Sequence, residues 1–153
     1  MNSRNLFKTA TGIIYLLSII SIVYGGMYLV KYHIMGYHEA FLGMSEDDLA
    51  TFNPRIVFLF LVLMKITGAA FLSVGIGTFF ICHYGYRKKE NWAVWGLILS
   101  YFSALIPMFI LTYQVASAIP AGKPQPPYWL TFSMIFLLVF ALFLGKKELN
   151  RNR

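Results

Sequence analysis

Apolar residues are concentrated in four long runs that are separated by more polar segments. The runs cover about residues 9–30, 55–84, 92–119 and 128–145. Their lengths match or exceed the roughly 17–25 residues that a helix needs to cross the hydrocarbon core of a bilayer. The pattern predicts an all-α integral membrane protein whose four transmembrane helices form an up-down bundle. We expect a single membrane domain that covers residues 1–153.

The segment between the first two runs, residues 31–53, contains too many large apolar side chains for a free loop. Ser45 followed three positions later by Asp48 has the pattern of a capping box. That pattern predicts a short helix that ends before Pro54. We therefore expect an interfacial helical segment between transmembrane helices 1 and 2.

Composition supports the membrane class. The chain is 58% hydrophobic and only 12% charged, whereas a soluble domain carries about 25% charged residues. The single cysteine, Cys82, excludes an intramolecular disulfide and argues against membrane oxidoreductases that use cysteine pairs.

The basic residues are divided unequally between the two sides of the predicted bundle. One side carries nine: Arg4, Lys8, Arg87, Lys88, Lys89, Lys146, Lys147, Arg151 and Arg153. The other side carries three, namely Lys31, Arg55 and Lys123. Positive charge is retained on the cytoplasmic side of a membrane. We expect a multi-pass protein of the inner (plasma) membrane with both termini in the cytoplasm, and no nucleic-acid partner.

Small residues at helical spacing predict where the helices approach one another. The three predicted contact stripes are Ser18, Ser21 and Gly25 on helix 1, Ala69, Ser73 and Gly77 on helix 2, and Gly96, Ser100 and Ala104 on helix 3.

Lys65 is the only charged residue deep within an apolar run, because no other charge lies within nine positions of it. From Pro54 it lies about 16 Å along the helix, near the middle of a hydrocarbon core of about 30 Å. A charge at that depth costs roughly 3 kcal/mol on insertion scales. Either polar groups inside the bundle hold the ammonium, or it is a buried cation that binds a ligand or a loop carboxylate. Side chains lean toward the helix N-terminus, so we expect the ammonium to reach toward segment 31–53.

A second candidate cluster contains His33, Tyr37, His38 and Glu39. His33 and Tyr37 share one face if this stretch is helical. The spacing of five between the two histidines does not suit a metal site, so none is predicted. The candidate ligand-binding residues are Lys65, His38, Tyr37, Glu39 and His33, and no catalytic residue is assigned.

Four short motifs carry a family resemblance: Met35-x-Tyr37-His38, Leu42-Gly43, Leu63-Met64-Lys65-x-x-Gly68 and Glu90-x-Trp92-Ala93-x-Trp95. Together they resemble a set of small four-helix bacterial inner-membrane proteins that is broadly similar to the DoxX-like group. The resemblance implies a four-helix fold. It also implies an association with membrane quinone oxidoreductases, in which this chain would be a structural or quinone-contacting subunit.

The function that the sequence favours is that of a non-catalytic accessory subunit or a lipophilic-ligand-binding protein. Its partners would be the lipid bilayer and either other membrane subunits or further copies of itself. No cofactor is predicted, although a quinone or a lipid is a possible ligand. One alternative is a redox or quinone-linked enzyme component that uses Lys65 and the His/Tyr/Glu segment. A second alternative is an oligomeric transporter or channel. Its polar path would be lined by Thr67, Ser73, Tyr101, Ser103, Tyr113 and Gln114.

Overall fold

The computed structural model describes residues 2–150, and these residues form helices and connecting turns without a strand. The helices are α1 (Ser3–Leu29), α2 (Gly36–Leu42), α3 (Glu46–Phe52), α4 (Pro54–Phe80), α5 (Asn91–Ala118) and α6 (Tyr128–Asn150). A π-helical turn (Ile81–Gly85) and a 3-10 turn (Tyr86–Lys88) extend α4. Helices α1, α5, α6 and the extended α4 are each long and apolar enough to span a membrane. The predicted all-α class and the four candidate spans are confirmed.

Segment 31–53 is helical, as predicted, but it contains two short helices. Ser45 caps α3 by accepting the amide hydrogen of Asp48 at 3.2 Å, and the Asp48 carboxylate accepts the Ser45 amide hydrogen in return. The predicted capping box is therefore confirmed. The Ser45 hydroxyl also donates to the Asp48 carboxylate at 2.6 Å. This bond and the one from the Ser45 amide lower the pKa of Asp48, because they stabilise its charged form.

The first and last of the four long helices extend beyond the apolar runs that predicted them. Helix α1 begins at Ser3, where the side chain of Asn2 caps it by accepting the Arg4 amide hydrogen. Helix α6 continues to Asn150. Both extensions carry charged side chains. The ends of a helix are set by capping of its backbone groups, so the end of an apolar run does not mark the end of the helix.

Helices α1 and α4 pack closely through glycine. A Cβ atom built on Gly25 would lie 2.6 Å from the Gly68 carbonyl oxygen and 2.6 Å from the Leu72 amide nitrogen. Further along, the Ser18 hydroxyl donates to the Gly75 carbonyl oxygen at 2.8 Å. Residue numbers rise along α1 as they fall along α4, so the two helices run in opposite directions.

The predicted contact stripe of α1 is confirmed, whereas that of α4 is wrong by one or two positions and that of α5 by one. On α4 the contact glycines are Gly68 and Gly75, while Ala69 and Ser73 are exposed. On α5 the buried side chains are Ala93, Leu97, Tyr101 and Leu105. Helices that are apolar on every face do not reveal in sequence which face turns inward.

Both termini of the described chain lie at one end of the bundle, which we call the terminal end. There the Ser3 hydroxyl donates to a carboxylate oxygen of Glu148 at 2.7 Å, and Lys89 pairs with the other oxygen at 2.8 Å. Helices α2 and α3 lie at the opposite end, which we call the capped end; α3 packs against α4 there.

Candidate functional site

A cavity of about 280 Å³ opens between α4 and α5 at the capped end. Helix α2 contributes Tyr37, His38 and Phe41 to its wall, and α1 contributes Tyr28. Among the described residues that line it there is no Asp, Glu, Lys or Arg, and the histidine, His38, is neutral when its ring is deprotonated. The apolar part of the wall comes mostly from α4 and α5, which supply Phe60, Leu63, Met64, Met108, Leu111 and Val115.

Local packing fixes α2 over the cavity. The Tyr37 and His38 rings are 4.2 Å apart, and the His38 ring lies 5.5 Å from that of Phe60 on α4. On the other side, Gly36 lies against Pro124 of the α5–α6 loop, and Pro126 of the same loop is fully buried in the cavity wall. The proline-rich loop between α5 and α6 is not helical, and it helps to close the site.

A chain of tyrosine hydroxyls leads to the cavity. The Tyr24 and Tyr28 hydroxyl oxygens are 3.4 Å apart, and those of Tyr28 and Tyr37 are 3.0 Å apart. Burial raises the pKa of Tyr37, so its hydroxyl keeps its proton. The cavity consequently presents hydroxyl groups that can donate or accept a hydrogen bond.

His38 is held as a neutral hydrogen-bond donor. Its Nδ1 atom accepts the Met35 amide hydrogen at 3.2 Å, which leaves the proton of the neutral ring on Nε2. Burial lowers the pKa of His38, so the neutral form dominates at neutral pH.

The two threonines in the cavity wall offer hydrogen-bond acceptors, which complement the His38 donor. The Thr67 hydroxyl donates to the Leu63 carbonyl oxygen at 3.0 Å, and the Thr112 hydroxyl donates to that of Met108 at 2.7 Å. Because their protons are engaged within their own helices, both hydroxyls can only accept from a ligand. The cavity therefore suits an uncharged molecule with a polar head and an apolar body.

The structure places two of the five predicted ligand-binding residues, Tyr37 and His38, in this cavity. Glu39 instead accepts the Glu46 amide hydrogen at 2.8 Å in a separate shallow depression. His33 is 84% exposed at its side chain and lies 3.2 Å from the Glu46 carboxylate. The predicted shared face of His33 and Tyr37 is wrong, because α2 begins only at Gly36.

Lys65 reaches in the predicted direction but is not buried. Its Nζ atom lies 5.7 Å from the centre of the Tyr32 ring, and its side chain is on the exposed face of α4. Among residues 2–150 the ion pairs are His33–Glu46 and Lys89–Glu148, so the expected loop carboxylate does not pair with it. The neighbouring Met64 faces inward, and successive residues of a helix point about 100° apart.

The level of Lys65 along the bundle follows from the contacts of Gly68. Gly68 contacts Tyr28 and Leu29, the last turn of α1. Lys65 lies about 4.5 Å nearer to the N-terminus of α4 and is therefore level with the end of α1. The first turns of α4 extend beyond α1 and pack against α2 and α3, so Lys65 lies much nearer to the level at which α1 ends than to Pro54.

The terminal end contains a polar cluster that sequence reasoning missed. The pair Lys89–Glu148 is largely buried on the glutamate side, and the Lys89 ammonium lies 5.8 Å from the Phe7 ring centre. The Phe7 ring in turn stacks on that of Tyr86 at 5.1 Å. Lys89 and Glu148 are 59 positions apart, so no local spacing signals their contact.

The residues proposed to line a channel do not face one path. Thr67 lines the cavity and Tyr101 is buried beside Ser21, whereas the others are exposed or partly exposed on the helix surfaces: Ser73, Ser103, Tyr113 and Gln114. A polar path through the single chain is therefore not assembled from these residues.

Comparisons with protein-family models, curated proteins and solved structures find no match for this chain.

Proposed function

We propose that this protein is a multi-pass membrane protein that binds an uncharged lipophilic molecule in the cavity at its capped end. The observation that carries the proposal is the composition of that cavity. Neutral donors and acceptors from Tyr28, Tyr37 and His38 lie beside a wall that is apolar apart from two threonine hydroxyls. Small-molecule sites generally combine a mostly apolar lining with a few placed polar groups.

The surface of the four long helices supports insertion in a bilayer. Large apolar side chains are exposed along all of them, such as Val23, Leu59, Leu99 and Phe136. Exposed tryptophans lie near both ends, with Trp92 at the terminal end and Trp129 at the capped end; such aromatic belts are typical of membrane interfaces. The antiparallel contact of α1 with α4 supports the up-down arrangement.

The basic residues favour an orientation with the terminal end in the cytoplasm. Seven of the nine residues counted for that side belong to the described chain, while Arg151 and Arg153 lie outside it. The ion pair Lys89–Glu148 with Ser3 places the N-terminal helix, the α4–α5 connection and α6 together at this end. The cavity would then belong to the outer half of the plasma membrane.

In this orientation the position of Lys65 in an apolar run is explained without a bound ligand. It precedes Tyr86 by 21 residues, about 32 Å of helix, which is the full thickness of a hydrocarbon core. Lysine at such a boundary extends its ammonium to the interface, and a neighbouring aromatic ring such as Tyr32 attracts it. The proposed binding site therefore leaves Lys65 out.

The cavity has an apolar exit toward the lipid. Leu63 and Leu111 line it and are also 50% and 58% exposed. A ligand tail can therefore leave between α4 and α5 while the head stays near Tyr37 and His38. The cavity volume of about 280 Å³ lies near the lower end of small-molecule pockets, which are roughly 300–1,000 Å³, so it suits a head group with its first tail carbons.

Quinones with an alkyl tail and neutral glycerolipids share this chemistry. Both have an uncharged head with carbonyl oxygens that accept from the His38 Nε2–H or a tyrosine hydroxyl. A quinone ligand would agree with the resemblance to DoxX-like proteins, whereas a glycerolipid would agree with a lipid-binding accessory subunit.

Thermal unfolding of the purified chain in detergent tests the proposal. A ligand that binds only the folded protein raises the midpoint temperature. We expect decyl-benzoquinone or dioctanoylglycerol to raise it, and decanoate, whose head is charged, to leave it unchanged. Equal midpoints with and without both neutral probes would contradict the proposed site.

Two variants locate the binding. His38→Leu removes the Nε2 donor, and we expect affinity to fall about tenfold, the value of one hydrogen bond of about 1.4 kcal/mol. Lys65→Met changes the residue next to Met64 on the outer face of the same helix, and it should bind like the wild type. Equal losses in both variants would place the ligand outside the cavity.

Labelling in intact cells tests the orientation. In a Cys82→Ser background, a cysteine placed at Lys123 in the capped-end loop should react with a membrane-impermeant maleimide. A cysteine placed at Lys147 should react only after the membrane is opened. The reverse pattern would invert the proposed topology.

A further inference from the structure

We propose a second binding site, for an anionic phospholipid, in the groove between α5 and α6 at the terminal end. The groove has a volume of about 310 Å³. It lies at the opposite end of the bundle from the cavity described above and shares no lining residue with it.

The groove is mostly polar at one end, where Leu149 is the one apolar residue among the described lining residues, and apolar at the other. Helix α5 begins, and helix α6 ends, at the terminal end. The polar lining residues Asn91, Lys146 and Asn150 therefore lie at the mouth of the groove. Val94 and Leu142 lie about one turn deeper along the two helices. This order of head and tail surfaces matches a phospholipid whose phosphate faces the aqueous side.

The charge of the groove selects an anionic head. Lys146 is an exposed cation in its wall, and no aspartate or glutamate is among the lining residues. Two carboxylates adjoin lining residues in sequence. Glu148 is turned toward Ser3 and Lys89, and Glu90, next to Asn91, is exposed and does not line the groove. An ammonium with no acid in the same wall attracts a phosphate, and basic pockets between membrane helices bind anionic head groups in this way.

The apolar wall favours a lipid over free phosphate. Trp95 and Phe143 line the groove and are 65% and 74% exposed. An acyl chain lying between α5 and α6 would cover both rings, whereas inorganic phosphate would leave them exposed. Tryptophan also prefers the head-group level of a bilayer.

Native mass spectrometry of the detergent-purified full chain, titrated with lipid, tests the site. We expect phosphatidylglycerol to remain bound at lower concentration than phosphatidylcholine with the same acyl chains. Equal retention of the two lipids would overturn the proposal. So would saturation of the site by inorganic phosphate alone, which would show that the acyl chain contributes nothing.

Lys146 and Lys147 form a matched pair for locating the lipid. Both are exposed, but only Lys146 lines the groove. We expect Lys146→Gln to weaken phosphatidylglycerol binding about fivefold, the factor that one basic residue contributes near an anionic surface, and Lys146→Arg to restore it. Lys147→Gln should bind like the wild type. Equal losses in Lys146→Gln and Lys147→Gln would mean a general basic surface and would overturn the site. Circular dichroism of each variant confirms that it is folded.

Discussion

The two ends of this bundle are built from different kinds of polar contact. At the terminal end, Glu148 joins Lys89 and Ser3 in a charged cluster next to the stacked rings of Phe7 and Tyr86. At the capped end the contacts around the cavity are uncharged: tyrosine hydroxyls and a neutral histidine border it. The charged contacts hold distant segments together at the terminal end, whereas the uncharged ones border a cavity for a neutral molecule at the capped end.

This difference has a physical basis. A buried carboxylate needs partners in place, because leaving it unpaired is costly. The terminal end therefore brings three distant chain segments into fixed contact. Tyrosine hydroxyls and a neutral imidazole can exchange one neutral partner for another at much smaller cost. A site for a neutral ligand is consequently more compatible with the capped end.

We expect the largest effect on stability from a substitution in the contact between α1 and α4, which connects the two ends. A methyl group on Gly25 would meet backbone atoms of Gly68 and Leu72 at 2.6 Å. We expect Gly25→Ala to lower the free energy of unfolding by about 3 kcal/mol, the upper end of the usual cost of overpacking. Titration with sodium dodecyl sulfate in mixed micelles, followed by circular dichroism, measures it.

The adjacent glycine provides the control for that experiment. A Cβ on Gly26 meets nothing within 4 Å, so Gly26→Ala should be as stable as the wild type or slightly more stable. If both variants lost the same stability, the helices would not pack through Gly25.

We expect a smaller effect on stability from removing the charge of Glu148 at the terminal end. Glu148→Gln removes the ionic partner of Lys89, whose side chain is 25% exposed and can regain water. We expect the free energy of unfolding to fall by about 1–2 kcal/mol, as for a hydrogen bond to a charged group. Binding of a neutral probe at the capped end should not change.

Glu90→Gln is the matched variant for Glu148→Gln. Glu90 is exposed on the α4–α5 connection, so its loss should alter stability by less than about 0.5 kcal/mol. A loss of neutral-probe binding in Glu148→Gln would show that the two ends are coupled and would contradict the contrast drawn between them.

The smallest effect concerns pH at the capped end. Burial lowers the pKa of His38 in the folded protein below its ordinary value of 6.5, so the unfolded chain binds the proton more readily. The stability that neutral His38 contributes is complete above pH 6.5 and is lost as pH falls through the folded-state pKa. Neutral-probe binding should weaken in the same range, because a protonated ring places a charge in the cavity wall.

Replacing each of two histidines tests that prediction. We expect the unfolding midpoint of His38→Gln to decline less below pH 6.5 than that of the wild type, because the substitution removes the histidine to which the decline is attributed. His33→Gln should retain it, since the His33 side chain is 84% exposed. An unchanged pH profile in His38→Gln would show that His38 does not titrate differently in the folded state.

Features that depend on neighbouring residues in the chain could be predicted from the sequence. Ser45 and Asp48 cap α3 as expected, α4 begins at Pro54, and the loop before Tyr128 is not helical. The four apolar runs identified the four long helices. The direction of the Lys65 side chain also followed from the geometry of its own helix.

Which face of each helix turns inward was decided only by the tertiary structure. Gly68, not Ala69, contacts α1, and Met64, not Lys65, faces the interior. In helices that are apolar on all sides, either face can meet lipid, so hydrophobicity does not select one. The choice depends on close backbone approach between α1 and α4.

The candidate site depends on that choice. Tyr28 and Tyr37 come from different helices, and their hydroxyls meet only because α2 folds back over the end of α1. Glu148 finds Lys89 for a similar reason, since α6 returns to the end where α1 begins. Local sequence determined the helices and their caps, because those depend on contacts a few residues apart. The cavity and the charged cluster are set by contacts between distant segments, which only the packed structure brings together.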